Sequence, residues 1–312
     1  MDKVPPEICT EICAFACLDS GHTGRSLSLV SKFVHEASQP TKLQSISLHG
    51  QSQITAFASL LQRTPSHLCR VKYLFISQHD PYPLRGGSWD LRCVDFVTER
   101  EKRLISAIQS ILKDVSEAVE ILEVACLCHF DSKFDATHPI SLPRLKELTT
   151  HYGFALEQTI FGPCHQLRRM HIVQPHRSDL FGGIRNIAPS LTHLRFSGLQ
   201  REVVKLEVAL EIREEASRLT RGSSVAILPS SVQNIIVKPS GPPARRGTHA
   251  ESYQTQLRRL NEMGERFVLL KAQDDTIYDD SDWLDRIAGG DGCWSLADHA
   301  NVTSQNLIFP PK

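Results

Sequence analysis

Residues 145–150 read LKELTT, residues 167–172 read LRRMHI and residues 191–196 read LTHLRF. In each, an aliphatic or Met side chain takes the first and fourth places of one frame, and the same frame stands at Val71–Ile76, Val119–Val124 and Val232–Val237. The first residues of the six copies are 48, 26, 22, 24 and 41 apart. The three middle spacings fall within the window of about 20–29 residues that marks a leucine-rich repeat. Alternation inside each copy predicts a short strand with one face turned inward.

Helical patterns fill the intervals, at 53–62, 98–115 and 202–219, with shorter ones at 154–161 and 179–187. Strand, helix and strand in one repeated order predict parallel strands joined by right-handed crossovers. A curved solenoid and an open sheet both satisfy that order. The fixed frame favours the solenoid, because strands of a doubly wound sheet are apolar throughout and keep no common register. The segment 238–247, KPSGPPARRG, reads as a linker. A helix near 253–263, a strand at 267–270 and the acidic run 274–285, DDTIYDDSDWLD, then depart from the repeat as a capping element would.

Two short helices come first. Pro5 and Pro6 suit a helix start, where absent N–H groups cost nothing, and Glu7 favours the positive end of the dipole. Ile8, Ile12 and Phe15, with Cys9, Cys13 and Ala16, cover one broad face. The second helix, from about Arg25 to Ala37, gathers Leu27, Leu29, Val30, Phe33, Val34 and Ala37 on an arc of roughly 160°. So wide an apolar face predicts contact on two sides, and the alternation at Leu43, Ile46 and Leu48 predicts the first strand. The expected division is therefore 1–48 for the helical element with that strand, 49–240 for the repeat region and 241–312 for linker and cap.

The 312 residues can bury a large core without disulfide or metal, and 35 basic against 35 acidic side chains produce no long-range field toward nucleic acid or anionic lipid. A charged partner would have to be met by a local patch. No apolar run reaches the roughly 18 residues of a membrane helix, and MDKVPPEICTE has proline and acid where a signal peptide is apolar. The expected compartment is cytoplasm or nucleus. Nine cysteines, an odd number without paired spacing, read as free thiols.

Motifs for chemistry are weak. Gly21-His-Thr-Gly24-Arg25-Ser26 has part of a phosphate loop but lacks its lysine, its spacing and a preceding strand, so it reads as an interhelical turn. Cys126, Cys128 and His129 have no second pair to complete a zinc site, and Cys9, Cys13 and Cys17 read as packing residues at helical spacing. No G-x-S-x-G elbow is present, and the acids of 274–285 lack the spacing of a calcium loop. No cofactor, no metal and no catalytic residue is expected.

One arrangement stands out. If the frame residues face inward, Glu147, Thr149 and His151 share the other face with Arg169, His171 and Val173 and with His193, Arg195 and Ser197. His151, Arg169, His171, His193 and Arg195 would then form a basic, imidazole-rich concave patch on adjacent strands. The bland alternative is that exposed strand positions are polar anyway. As a site, the patch suits an acidic or phosphorylated protein segment held by guanidinium forks, with tighter binding below a pH of about 6.5 as the histidines charge.

The amino terminus resembles an F-box, specifically the divergent F-box-like proteins abundant in mushroom-forming fungi. The resemblance rests on Val4-Pro5-Pro6-Glu7-Ile8, on Ile12, on Leu27-Ser28-Leu29-Val30-Ser31-Lys32-Phe33 and on Ala37, Pro40, Leu43, Ile46 and Leu48. The rest of the chain is similar to the degenerate leucine-rich-repeat-like region that often follows. Val4 stands where the motif usually has Leu, Gln44 where Trp is frequent, and Phe33 where Trp is common. The resemblance implies a substrate-recognition subunit of an SCF-type ubiquitin ligase. Its adaptor, of the S-phase kinase-associated protein family, would dock on Pro5, Pro6, Glu7, Ile8, Ile12, Leu29, Val30 and Phe33, and a protein substrate would dock on the repeat strands. The other readings are an autonomous repeat scaffold unconnected with ubiquitin and an α/β hydrolase with a pocket at the strand carboxyl ends.

Overall fold

A computed structural model of the chain describes residues 4–78, 99–126, 139–151, 160–175, 180–199, 228–240, 266–271 and 280–296, with the single positions 206, 255, 257 and 259. Most of the expected helices at 154–161, 202–219 and 253–263 and of the 238–247 linker, and Cys128 and His129, lie outside the described residues. Two compact units divide the chain, one of residues 1–145 with 278–293 and one of 146–277 with 294–312. Contacts thus divide it just after Leu145, the first residue of the third repeat frame, whereas the functional scheme expected from sequence places its boundaries at 48/49 and 240/241.

The first unit opens with α1 (Pro6–Ala16), α2 (His22–Leu27) and α3 (Lys32–Ser38). The single helix expected over 25–37 is broken by a turn at 28–31. Ser31 is extended and its Oγ accepts a bond from the Val34 N–H at 3.2 Å, which restarts the helix as an N-cap. β1 (Ser45–His49), α4 (Gly50–Leu61), β2 (Tyr73–Ser77), α5 (Glu99–Val115) and β3 (Ile121–Ala125) follow, and β1, β2 and β3 pair in parallel in chain order. Helix α5 buries Leu104, Ile105, Ile108, Ile111, Leu112 and Val115, the i, i+3, i+4 stripe that a crossover helix lays on its sheet. Residues Ser281–Ile287 return as α7, where Trp283 and Ile287 pack on Phe75 of β2. This part of the expected carboxyl-terminal cap is therefore core of the first unit.

The second unit has β4 (Glu147–His151), β5 (Arg169–Val173), α6 (Leu180–Ile187), β6 (His193–Leu199), β7 (Asn234–Pro239) and β8 (Phe267–Leu269). These five strands also pair in parallel in chain order. The chain is thus an α/β protein of parallel strands and helices, as expected.

Each of β2 to β7 starts two residues after the first residue of its frame, and the hydrogen bonds give the reason. Leu145, Leu167, Leu191 and Val232 each donate their N–H to the carbonyl three residues back, at Leu142, Cys164, Ala188 and Pro229, closing a tight turn. The next residue's carbonyl then accepts two bonds from the following repeat. Lys146 O receives Arg168 N and Arg169 N at 2.9 and 3.1 Å, Arg168 O receives Thr192 N and His193 N, and Thr192 O receives Gln233 N and Asn234 N. The first unit repeats the device: Gln44 O receives Lys72 N and Tyr73 N, and Lys72 O receives Glu120 N and Ile121 N. The frame's first residue is an interior anchor of that turn. Leu145, Leu148, Leu167, Met170, Leu191, Leu194 and Phe196 are all buried. Replacing Leu194 by alanine is expected to lower stability by about 2–5 kcal/mol, because a tightly packed site collapses only in part, and a urea titration followed by circular dichroism checks this.

Candidate functional site

Residues expected at a functional surface lie in two places. In the first unit, α1 turns Cys13 inward, with Cys17 just past its end, and turns Ile8, Ile12 and Phe15 to solvent, at 51, 59 and 77 % exposure. Positions 8, 12 and 15 are spaced i, i+4, i+7, one stripe along the helix. Burial pushes the Cys13 and Cys17 thiols above their ordinary value, which suits packing residues better than nucleophiles or metal ligands. In the turn between α2 and α3, Leu29 and Val30 are 87 and 63 % exposed. Pro5, Pro6 and Glu7 are exposed as well, while Phe33 is half-buried and Val34 and Ala37 are buried.

These apolar groups stand on a framework held by hydrogen bonds. The Thr10 hydroxyl reaches the Ala37 carbonyl at 3.0 Å, tying α1 to α3. The amide of Gln44 is buried and donates to the Ala14 carbonyl at 2.9 Å, tying α1 to the entry of β1. His35 Nδ1 lies 3.0 Å from the Ser28 carbonyl and fixes the 28–31 turn. Phe15 belongs with the exposed stripe although it falls outside the expected adaptor residues. Its spacing from Ile8 and Ile12 was the available signal.

In the second unit the sheet register does bring the expected basic residues together. Glu147, Arg169 and His193 stand side by side, then Thr149, His171 and Arg195, then His151, Val173 and Ser197. The face is nevertheless covered, which corrects the expectation of an open patch. His151, His171 and Arg195 are buried and Arg169 and His193 are half-buried. Trp294 packs against three of them, with the Arg169 guanidinium 5.6 Å from its ring centre and the His171 and His193 rings edge-on at 6.4 and 6.3 Å. Arg169 also approaches Glu147 at 3.5 Å, His171 Nε2 meets Ser197 Oγ at 2.8 Å, and Asn234 Nδ2 lies 3.1 Å from His193 Nε2.

Burial, reinforced by Arg195, His151 and Lys238, holds the His171 imidazole well below its usual value of 6.5. Burial and Arg169 lower His193 too, against the opposing pull of Glu147. The expected tightening of binding as pH falls through 6.5 is thus weakened at these two rings, whose protonation is moved to lower pH. Glu147, Thr192, Asn234 and Trp294 complete the cluster and are not among the expected site residues. No repeat spacing leads to Trp294, since it comes from beyond the frames.

A third constellation lies in the first unit, where Ser47, His49 and Asp280 meet. Ser47 Oγ donates to Asp280 Oδ2 at 2.6 Å, and His49 Nε2 lies 2.8 Å from Ser47 Oγ and 3.3 Å from the same carboxylate oxygen. Hydrogen bonding from His49, aided by Ser47, holds the Asp280 carboxyl below the usual range although burial acts the other way. A nucleophile relay needs the imidazole to accept the serine proton on one nitrogen and to face the acid with the other. Here Asp280 takes the serine proton and one imidazole nitrogen serves both neighbours, so the trio is a tether between β1 and the start of α7. Among the described residues no group of three histidine, cysteine or acidic side chains could hold a metal ion, and no helix is long and apolar enough to cross a membrane.

No protein-family model matches the sequence, and no curated protein is similar to it.

The depressed His171 value fixes a sign. The unfolded ring takes up a proton near pH 6.5 while the folded ring does not, so between that value and the lower folded one acid favours the unfolded chain and stability falls with pH. Each such ring contributes a slope of at most about 1.4 kcal/mol per pH unit. Urea titrations at pH 7.5 and 5.5 are expected to show a smaller loss for His171→Gln than for the wild type.

Proposed function

We propose that the chain is a non-enzymatic substrate-recognition subunit of an SCF-type ubiquitin ligase, with adaptor docking on the exposed face of α1 and the 28–31 turn. The observation that carries the reading is that Ile8, Ile12, Phe15, Leu29 and Val30 are held in solvent by a helical element whose other side is packed and hydrogen-bonded. Moving a large aliphatic or aromatic side chain out of water is worth about 1.5–3 kcal/mol, so five of them in a rigid element favour association strongly. The rigidity also lowers the entropy cost of binding.

The adaptor residues proposed are therefore Pro5, Glu7, Ile8, Ile12, Leu29 and Val30 from the resemblance, with Phe15 added and Phe33 in a supporting position. The Trp that many F-boxes place at position 44 would be an interface anchor. Here Gln44 works inward, and Phe15 and Leu29 supply the apolar area instead. The forked-carbonyl repeat supports a leucine-rich-repeat-like reading of the strands that follow. Because Trp294 roofs the basic face of β4 to β6, the substrate surface is assigned to the repeat region as a whole and no longer to His151, Arg169, His171, His193 and Arg195 as an open patch. Ubiquitin transfer belongs to other subunits, and the chain acts by holding its substrate near them.

Purified adaptor is expected to bind the intact chain, and Ile12→Asp with Leu29→Asp is expected to weaken that binding at least about 30-fold, the effect of losing about 2 kcal/mol at an interface centre. Both sites are exposed, so the unfolding midpoint of the double variant should stay close to that of the wild type. If the intact chain fails to bind adaptor in a calorimetric titration, the ubiquitin reading falls and the autonomous scaffold takes its place.

A further inference from the structure

The first unit contains an open pocket of about 750 Å³ at the junction of the α1–α3 element with β1 and α4, a volume within the usual range for small-molecule sites. Its construction is uneven in charge. Arg25, Lys42 and Arg63 line it, with His22 beside them, and the sole acid among its walls is Asp280. Asp280 is already engaged by Ser47 and His49. Arg25 and Lys42 have no carboxylate within ion-pair distance among the described residues, and Arg63 spends only its Nε, on the Ser59 carbonyl. In a chain of zero formal charge, three permanent cations against a single hydrogen-bonded carboxylate leave a local positive excess. Ser20, Ser47, His49 and Gln53 add polar wall, and an apolar side comes from Ile46, Phe57 and Leu60, of which Leu60 is 42 % exposed.

The turn that sets the rim leaves little freedom. Gly21 has φ +92°, and a Cβ there would come within 2.9 Å of Ile46 Cδ1; a Cβ on Gly24 would overlap the Lys42 carbonyl oxygen. Both glycines let the 21–25 turn close onto the strand entry, which carries His22 and Arg25 to the pocket beside Lys42. The Asp19 carboxylate accepts from the N–H groups of Gly21 and Thr23, both at 2.9 Å, so the backbone donors at the start of α2 are taken. An anion would be met by side chains, and the partial likeness of this turn to a phosphate loop is not what makes the site.

We infer that this pocket binds a monomeric amphipathic organic phosphate, its phosphate between Arg25, Lys42 and Arg63 and its apolar body on Ile46, Phe57 and Leu60. Two guanidinium groups and an ammonium can satisfy a phosphate dianion, guanidinium by paired bonds and ammonium as a point charge. The apolar wall gives the tail somewhere to leave water. The site is separate from the exposed stripe of α1 and does not depend on what docks there.

The test is an isothermal titration of the full chain with decyl phosphate, inorganic phosphate and decanol below the aggregation limit of each. Saturable one-to-one binding of decyl phosphate is expected, at least about tenfold tighter than either half alone, since head and tail each add interaction energy. Arg25→Glu and Arg63→Glu are each expected to weaken it by about tenfold or more, while Arg70→Glu, the same charge change at an exposed site away from the pocket, leaves it unaltered. Equal weakening by all three variants, absence of saturable binding to decyl phosphate, or binding to phosphatidic acid vesicles without binding to the monomer would each overturn the inference.

Discussion

One backbone carbonyl per repeat, shared between two N–H groups of the next, is the contact on which the strand stack depends. The carbonyls of Gln44, Lys72, Lys146, Arg168 and Thr192 all work this way. Each belongs to the residue after the first apolar residue of a frame. The aliphatic group is driven into the core, the chain turns there, and the following carbonyl is left aimed at its neighbour. Buried backbone groups must be paired, so a repeat lacking the turn would leave two donors unsatisfied in the next. Hydrophobic frame and hydrogen-bond fork are two parts of one constraint, and together they hold parallel strands in register while the intervals between frames vary from 22 to 48 residues.

Gln44 joins this ladder to the amino-terminal helices. Its carbonyl opens the ladder by receiving Lys72 and Tyr73, and its side-chain amide holds Ala14 of α1. One residue therefore fixes where α1 sits relative to β1, with the Thr10 bond to Ala37 as a second tie. An apolar anchor at position 44 could not make this bond. The outward stripe of α1 is the consequence, because a helix held by polar ties and small cysteines along one side has no remaining contact for Ile8, Ile12 and Phe15.

The strands were legible in the sequence because their frame is a local pattern repeated seven times if Leu43 is included, and parallel pairing followed from the alternation of strand and helix. The side-by-side placement of Arg169 with His193 and of His171 with Arg195 was legible too, since register follows from the frame. What covers those residues was not. Trp294 lies about 100 residues beyond His193 in the chain, and no periodic signal links an irregular segment to the strand face it packs on. The same is true of Asp280 and α7, whose contacts with Ser47, His49 and Phe75 span more than 200 residues. An acidic run looks solvated until its long-range partners are known. Covered in this way, the basic cluster is an interior network in which burial and neighbouring cations keep imidazoles neutral, the reverse of what an exposed patch would do.

The break between α2 and α3 shows how a small departure from regular helix decides what a surface offers. In a continuous helix, Leu29 and Val30 would point about 100° apart, and with Val34 and Ala37 already inward one of the two would be drawn toward the core. Ser31 prevents this by capping α3 afresh, His35 anchors the Ser28 carbonyl, and the four residues 28–31 become a loop in which neighbouring side chains can both face water. Such exposure costs free energy in the isolated chain, and a hydrogen-bonded turn is a costly way to achieve it if nothing covers the loop. The polar residues at 28, 31 and 35 thus act as the device that keeps Leu29 and Val30 outside.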